Sequence, residues 1–88
     1  MGIATNNLKK GDVVRLTHTN WRATIMDNKK GNIRTMDVEG IFREIGSVYV
    51  WDIRDVFAMG GVELDPPARI ELTGRQNKAR TAIESLFA

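Results

Sequence analysis

Short stretches of alternating apolar and polar residues, separated by turn-forming residues, occupy most of the first sixty positions. Such alternation is typical of strands that bury one face, because successive side chains of a strand point to opposite sides. In the first stretch, residues 13–17, a period of two places Val14 and Leu16 in the core. Arg15 and Thr17 then point outward. The pattern predicts a mainly β fold built from short strands.

A turn over residues 27–32 organises the centre of the chain. It lies between residues 23–26 and 33–38, two segments rich in β-branched residues, and Gly31 within it can adopt positive φ without a Cβ penalty. A hairpin is predicted here, and a further strand is predicted close behind it over residues 47–53.

The alternating pattern does not decide which face of two of the predicted strands is buried. In residues 23–26 the inward side chains are either Ala23 and Ile25 or their two neighbours, because the register is not decided by the pattern. In residues 47–53 both faces are largely apolar. That strand is therefore either buried on both sides or exposed to a partner.

The last third of the chain changes from strand period to helix period. A Pro-Pro pair within residues 60–72 cannot donate to a strand ladder, so this segment is predicted to be an edge or a linker. Thr73 and Gln76 then have capping-box spacing, and apolar residues recur every three or four positions behind them. A helix is predicted over residues 74–87. Its basic residues Arg75, Lys78 and Arg80 are candidates for a phosphate contact, but a solvated helix face is the favoured interpretation.

Composition indicates one ordinary globular domain. The 88 residues are 42% hydrophobic and 27% charged, and no apolar run reaches the roughly 18 residues that a membrane helix needs. The absence of cysteine and of a secretory leader pattern leads us to expect a cytoplasmic location. The expected organisation is a flexible N-terminus over 1–7, a barrel over 8–59, a linker or edge segment over 60–72 and a C-terminal helix over 73–88.

The Gly11-Asp12 dipeptide followed by Val-Val-Arg-Leu resembles the start of SH3-like barrels of the KOW and Tudor type. The resemblance covers roughly residues 10–57. It implies a small SH3-like barrel of four to five strands, which here would be followed by a C-terminal α-helix.

A second resemblance covers most of the chain. Residues 8–12, 27–32, 46–49 and 71–73 are similar to segments of small uncharacterised proteins of tailed phages. This similarity implies a viral origin and the cytoplasm of an infected host cell. It does not imply a particular chemistry.

Candidate catalytic residues are few. His18 is the single histidine and lies in a polar turn, where an exposed loop residue is the usual interpretation. The carboxylate pairs Asp52 with Asp55 and Glu63 with Asp65 could share a proton or a divalent ion, but Arg54 lies between the first two, and surface ion pairing explains that pair more simply. No phosphate-loop pattern and no set of nucleophile and base is present. We expect a protein that is not an enzyme and needs no metal or cofactor.

Basic residues are concentrated in the first half of the chain, where few acidic residues accompany them. If Arg15, Arg22 and Arg34 share the outward face, they form a positive strip beside Trp21. Such a strip, with an aromatic platform, binds the phosphates and bases of single-stranded nucleic acid. The leading prediction is nucleic acid or a phosphate-bearing nucleotide, bound by Arg15, Trp21, Arg22, Lys29, Lys30 and Arg34. The alternative is that the lysines solubilise turns and Trp21 covers the core.

A second function comes from the apolar residues. Tyr49 and Trp51 on the predicted strand, together with Leu86 and Phe87 at the end of the predicted helix, are candidates for binding a protein partner. The partner would be a host protein, including a defence component that the protein inhibits, or a second copy in a homo-oligomer.

Overall fold

Seven strands in one open sheet, followed by a single helix, make up the part of the chain that the computed structural model describes, residues 2–17, 19–29, 33–40 and 43–87. The strands are β1 Ile3–Ala4, β2 Val13–Leu16, β3 Arg22–Asp27, β4 Ile33–Glu39, β5 Glu44–Tyr49, β6 Ile53–Met59 and β7 Val62–Glu71. The helix is α1 Gly74–Phe87, and two 3-10 turns are formed by Thr5–Asn7 and Val50–Asp52.

The strand order in the sheet is β1-β7-β6-β2-β3-β4-β5. Neighbours are antiparallel except for β1 and β7, which are parallel. The prediction of a mainly β protein with a C-terminal helix is confirmed. The predicted count of four to five strands is too low, because β7 and β1 extend the sheet beyond β6, and the sheet does not close into a barrel.

The first half of the chain follows its hydrophobic pattern. Val14 and Leu16 of β2 are buried as predicted, and Ala23 and Ile25 are the inward residues of β3. The predicted hairpin is formed by β3 and β4, although part of its turn, residues 30–32, lies outside the described residues. The core is formed by Leu8, Val14, Leu16, Ala23, Ile25, Met36, Val38, Ile53 and Val56.

The predicted strand over residues 47–53 is wrong in its second half. Strand β5 begins earlier, at Glu44, and ends at Tyr49, and a 3-10 turn over Val50–Asp52 then leads into β6. Val50 and Trp51 are consecutive and both buried. A strand that buries one face cannot do this, because consecutive side chains point to opposite sides.

Two segments expected to lie apart from the barrel pack against the sheet in the structure. Residues 3–7, expected to be flexible, form β1 and a 3-10 turn in which Thr5 is buried. Residues 62–71 form β7, and the two prolines lie at an irregularity in its pairing with β6, between the pairs Val56–Ala68 and Ala58–Glu63. A proline is tolerated there because the ladder is interrupted and no N–H donor is needed.

Helix α1 begins and ends where the sequence predicts. The Gln76 N–H donates to Thr73 Oγ1 at 3.2 Å, and Gln76 Oε1 accepts from the Thr73 N–H at 2.9 Å, so the predicted capping box is formed. Gln76 Nε2 also donates to the buried hydroxyl of Thr5 at 2.9 Å. The first turns of α1 are therefore attached to the N-terminal segment, whereas Leu86 near its end is 77% exposed.

Candidate functional site

Arg15 and Arg22 lie side by side on the face of the sheet that points away from the core, here called the outer face. They are cross-strand partners in the β2–β3 pair. Both guanidinium groups lie over the ring of Phe57 on β6, with their Cζ atoms 5.5 Å and 4.6 Å from its centroid. Two of the arginines in the predicted strip thus share a surface, and Phe57 is an aromatic neighbour that the sequence did not indicate.

Arg15 is neutralised on this face by Asp55 of β6. Arg15 Nε donates to Asp55 Oδ2 at 2.9 Å, and its terminal NH2 group contacts the same oxygen. Arg54 Nε lies 3.6 Å from that oxygen. One carboxylate, almost fully buried, therefore serves two guanidinium groups.

Arg34 does not belong to the outer face. Its side chain is 1% exposed and points inward, where it donates to Asn6 Oδ1 at 2.6 Å and to the Ile33 carbonyl at 3.3 Å. Burial lowers the pKa of Arg34. The reason is the register of β4, since Arg34 alternates with the buried Met36 and Val38. The prediction that Arg15, Arg22 and Arg34 form one strip is wrong for Arg34.

The remaining members of the predicted strip are dispersed. The indole of Trp21 is half-buried against the core and lies on Gly40, where a Cβ atom would come within 2.6 Å of the ring. Trp21 thus covers the core, which was the alternative interpretation. Lys29 is 86% exposed, and its Nζ lies 3.7 Å from Asp27 Oδ2. Lys30 lies outside the described residues.

Three other arginines converge on a groove of about 340 Å³, here called the arginine groove. Arg54 comes from β6, Arg69 from β7 and Arg80 from α1. Among the described residues, no carboxylate lines this groove. The other lining residues are Thr17, Trp51, Ile53, Ile70 and Leu72. The site gathers three positive charges over a partly apolar floor.

The folding of three separate elements builds this groove. Arg54 lies in an irregularity of the β2–β6 pairing, between the pairs formed by Asp55 and by Ile53. Arg69 is the cross-strand partner of Asp55. Arg80 is one turn beyond Gln76, whose hydrogen bonds hold the start of α1. Sequence reasoning missed the groove because its arginines are distant in the chain.

The charges around the groove are only loosely compensated. Arg54 Nε is 3.6 Å from Asp55 Oδ2, and Arg80 Nε is 3.7 Å from Glu84 Oε1. Neither pair reaches ordinary hydrogen-bond distance. Among the described residues, Arg69 makes no ion pair. The groove can therefore offer guanidinium N–H groups to an anion.

The two aromatic residues predicted to bind a partner differ in exposure. Trp51 is 8% exposed and lines the arginine groove, so its ring offers little surface for contact with a protein partner. Tyr49 is 45% exposed and stacks on Trp51, with ring centroids 4.6 Å apart and planes at 8°. Leu86 is exposed as that prediction requires, whereas the side chain of Phe87 lies outside the described part of the chain.

Tyr49 also lines a second, smaller cleft of about 200 Å³, here called the Tyr49 cleft. Its other lining residues are Leu16, Thr19, Ser47, Val48 and Asp52. Among the described residues, its lining includes one carboxylate, that of Asp52, and neither lysine nor arginine. The two cavities thus differ in charge although the Tyr49–Trp51 stack connects them.

Residues 2–17, 19–29, 33–40 and 43–87 show neither a metal-binding cluster nor a membrane-spanning helix. These contain no group of three or more His, Cys, Asp or Glu residues placed to hold a metal ion. None of their helices is long and apolar enough to cross a membrane. No protein-family model matches the chain, and no curated protein or solved structure matches it.

Proposed function

We propose that this protein is a non-enzymatic module that binds the phosphate groups of nucleic acid in the arginine groove. The observation that carries the proposal is the convergence of Arg54, Arg69 and Arg80 on one groove that no carboxylate of the described residues lines. A guanidinium group matches two phosphate oxygens with two parallel N–H donors, which makes arginine well suited to phosphate recognition.

The lining supports binding rather than catalysis. Besides the arginines, the described residues that line the groove present the Thr17 side chain and apolar or aromatic groups, with neither an imidazole nor a carboxylate among them. His18, which follows Thr17 in the chain, lies outside the described residues. General acid–base chemistry needs such a group within hydrogen-bond reach of the reacting atoms. The described lining residues therefore offer groups that hold a phosphate and none suited to move a proton from a nucleophile.

A polymer fits better than a single phosphate because the sheet presents a further arginine beyond the groove. Arg69 is the cross-strand partner of Asp55, and Asp55 is in turn the partner of Arg15, which neighbours Arg22. Asp55 neutralises Arg15, whereas Arg22 makes no ion pair among the described residues, so a second phosphate of the same strand can meet Arg22. The Phe57 ring under Arg15 and Arg22 adds an aromatic surface to this path.

The strand order supports a more specific proposal about the fold. Strands β2 to β6 coincide with the region that resembles SH3-like barrels, and they are adjacent in the order β6-β2-β3-β4-β5. We propose that these five strands form an SH3-like unit to which β7, β1 and α1 are added. A phage origin and action in the infected-cell cytoplasm stay proposals that rest on the sequence resemblance.

The test is binding of a fluorescently labelled 12-nucleotide single strand, measured by polarisation. Changing Arg69→Glu and Arg80→Glu together should weaken binding about 100-fold, since each hydrogen bond to a charged group contributes about 1.5–3 kcal/mol. The matched control is Arg75→Glu with Lys78→Glu, which changes the net charge equally at exposed positions of α1 that do not line the groove. Equal losses in both double variants would contradict a specific groove.

A salt series measures the number of phosphates directly. For three phosphates on a single strand, the logarithm of the binding constant should fall with the logarithm of the salt concentration with a slope of about −2. In the Arg69→Glu, Arg80→Glu variant the slope should shrink to about −0.7, because one arginine remains. A slope near zero in the unmodified protein would rule out phosphate as the ligand.

Binding of a host protein is the second candidate, and exposed apolar side chains favour it. Ile45 on the edge strand β5 and Leu86 on α1 are both largely exposed. An interface built on such side chains depends little on salt. A partner that is retained by the Arg69→Glu, Arg80→Glu variant and lost on Ile45→Asp or Leu86→Asp would support this function instead.

A further inference from the structure

We infer that the Tyr49 cleft holds an unpaired base, so that the groove and the cleft together bind single-stranded nucleic acid. The inference rests on the proposed binding of phosphate in the arginine groove. It adds the class of nucleic acid and a second binding site on the protein.

The aromatic stack connects the two cavities. Trp51 lines the groove and Tyr49 lines the cleft, and their rings are nearly parallel with centroids 4.6 Å apart. A backbone hydrogen bond connects the walls a second time, because Thr17 of the groove donates its N–H to the carbonyl of Asp52 in the cleft at 2.6 Å. The walls of the two cavities therefore adjoin, which allows one ligand to reach from the groove to the cleft.

The two cavities have different linings and therefore suit different parts of a nucleotide. The groove supplies three guanidinium groups and suits a phosphate. Among the described residues, neither lysine nor arginine lines the cleft, so it lacks the guanidinium groups that suit the groove to a phosphate and is better suited to an uncharged group. Its walls include Leu16 and Val48 beside the Tyr49 ring. An apolar cleft with an aromatic wall next to a phosphate site is suited to a base.

The size and position of the cleft favour a single base over a base pair. Its volume of about 200 Å³ is below the range of about 300–1,000 Å³ that is usual for a complete small-molecule site. Tyr49 is 45% exposed, so a base laid on its ring would extend the existing stack with Trp51. A base inside a duplex is already paired and stacked and cannot enter. Aromatic stacking of this kind tolerates any base, so little sequence preference is expected.

The experiment compares four labelled ligands of equal length: single-stranded DNA, single-stranded RNA, double-stranded DNA and an abasic strand that keeps the phosphates without the bases. Single-stranded DNA should bind about tenfold more tightly than the abasic strand, because one stacked base contributes about 1–3 kcal/mol. Duplex DNA should bind no better than the abasic strand. Binding of the RNA strand shows whether the sugar is distinguished, and the inference predicts that it also exceeds the abasic strand.

Substitutions in the cleft distinguish the contribution of base binding from that of phosphate binding. Tyr49→Ala should remove the tenfold advantage and leave the abasic strand bound as before, and Tyr49→Phe should retain the advantage because the ring is kept. Ser47→Phe, at an exposed position of the cleft wall, should block the cleft without disturbing the core. It provides the test even if Tyr49→Ala does not fold.

The outcomes distinguish the two proposals. If the abasic strand binds as tightly as the DNA strand, the base site is wrong and the phosphate groove stands. If duplex binds more tightly than the single strand, the base site is also wrong. If none of the four ligands binds, the proposed function fails and the base site fails with it.

Discussion

The outer face of the sheet contains Arg15 and Arg22, the arginine groove contains three arginines, and the surroundings of these arginines differ. On the outer face, Arg15 is hydrogen-bonded to Asp55. In the groove, Arg69 has no ion pair among the described residues. The comparison shows that the partner of each arginine, and not the number of arginines, indicates where an anion can bind.

The difference follows from how the two regions are built. Cross-strand pairing places Arg69, Asp55, Arg15, Arg22 and Glu39 in one row across the sheet, so several basic residues there meet a carboxylate opposite them. A carboxylate also meets Arg43, just before β5, where hydrogen bonds to Asp37 at 2.8 Å and 3.0 Å raise the pKa of Arg43. Arg69 has Asp55 opposite it as well but makes no ion pair with it, and the described residues that line the groove, from β6, β7 and α1, include no carboxylate.

Removing the carboxylate that neutralises Arg15 tests this comparison most strongly. Asp55→Asn should lower the free energy of unfolding by about 1–2 kcal/mol, because a buried partner is lost while Arg15 can still reach water. It should also strengthen single-strand binding about threefold at low salt, since a negative charge beside Arg54 disappears. Urea denaturation and polarisation measure the two effects.

The control is Glu44→Gln, which changes the net charge equally at an exposed position of β5, the opposite edge strand of the sheet. It should leave stability and affinity nearly unchanged. A similar gain in affinity in both variants would mean that the affinity follows the net charge of the protein. Neutralisation of arginines by Asp55 would then not explain the difference between the outer face and the groove.

Detaching the start of α1 from the N-terminal segment is expected to have the next largest effect on stability. Gln76→Ala removes the capping box and the hydrogen bond to Thr5, and we expect a loss of about 1–2 kcal/mol in the free energy of unfolding. Because Arg80 lies one turn further along the same helix, single-strand binding should weaken a few-fold at the same time. Hydrogen exchange of α1 measures its detachment, and Thr81→Ala, at an exposed position of the helix, is the control. Faster exchange with unchanged binding would show that docking of α1 does not position Arg80.

Local patterns predicted the elements that depend on local physics. The register of β2 follows from the alternation of Val14 and Leu16, and the start of α1 follows from the spacing of Thr73 and Gln76. The inward position of Arg34 was also readable, because it alternates with Met36 and Val38, but the charge of the residue favoured an outward position. Such a burial requires a hydrogen-bond acceptor, and Asn6 supplies one from a segment expected to be flexible.

The groove was beyond such reasoning because it depends on contacts between distant segments. The sequence places Arg54 between Asp52 and Asp55, where surface ion pairing is the simpler interpretation, and Arg80 among the basic residues of the predicted helix, where a solvated face is favoured over a phosphate contact. Arg69 lies in the segment expected to be a linker or an edge. Only the pairing of β7 with β6 and the attachment of α1 bring the three together. No periodicity in the sequence encodes that arrangement.

The smallest effect is expected at Lys29, a member of the predicted basic strip. Its ammonium group is 3.7 Å from Asp27 and almost fully exposed, so the pair should contribute under about 0.5 kcal/mol to stability. Lys29 does not line the arginine groove, and Lys29→Ala should therefore change single-strand affinity by less than about twofold, as should the control Lys10→Ala in another exposed turn. A loss at Lys29 alone that approaches the loss in Arg69→Glu, Arg80→Glu would extend the binding surface to the β3–β4 hairpin and overturn the distinction between exposed charge and a constructed site.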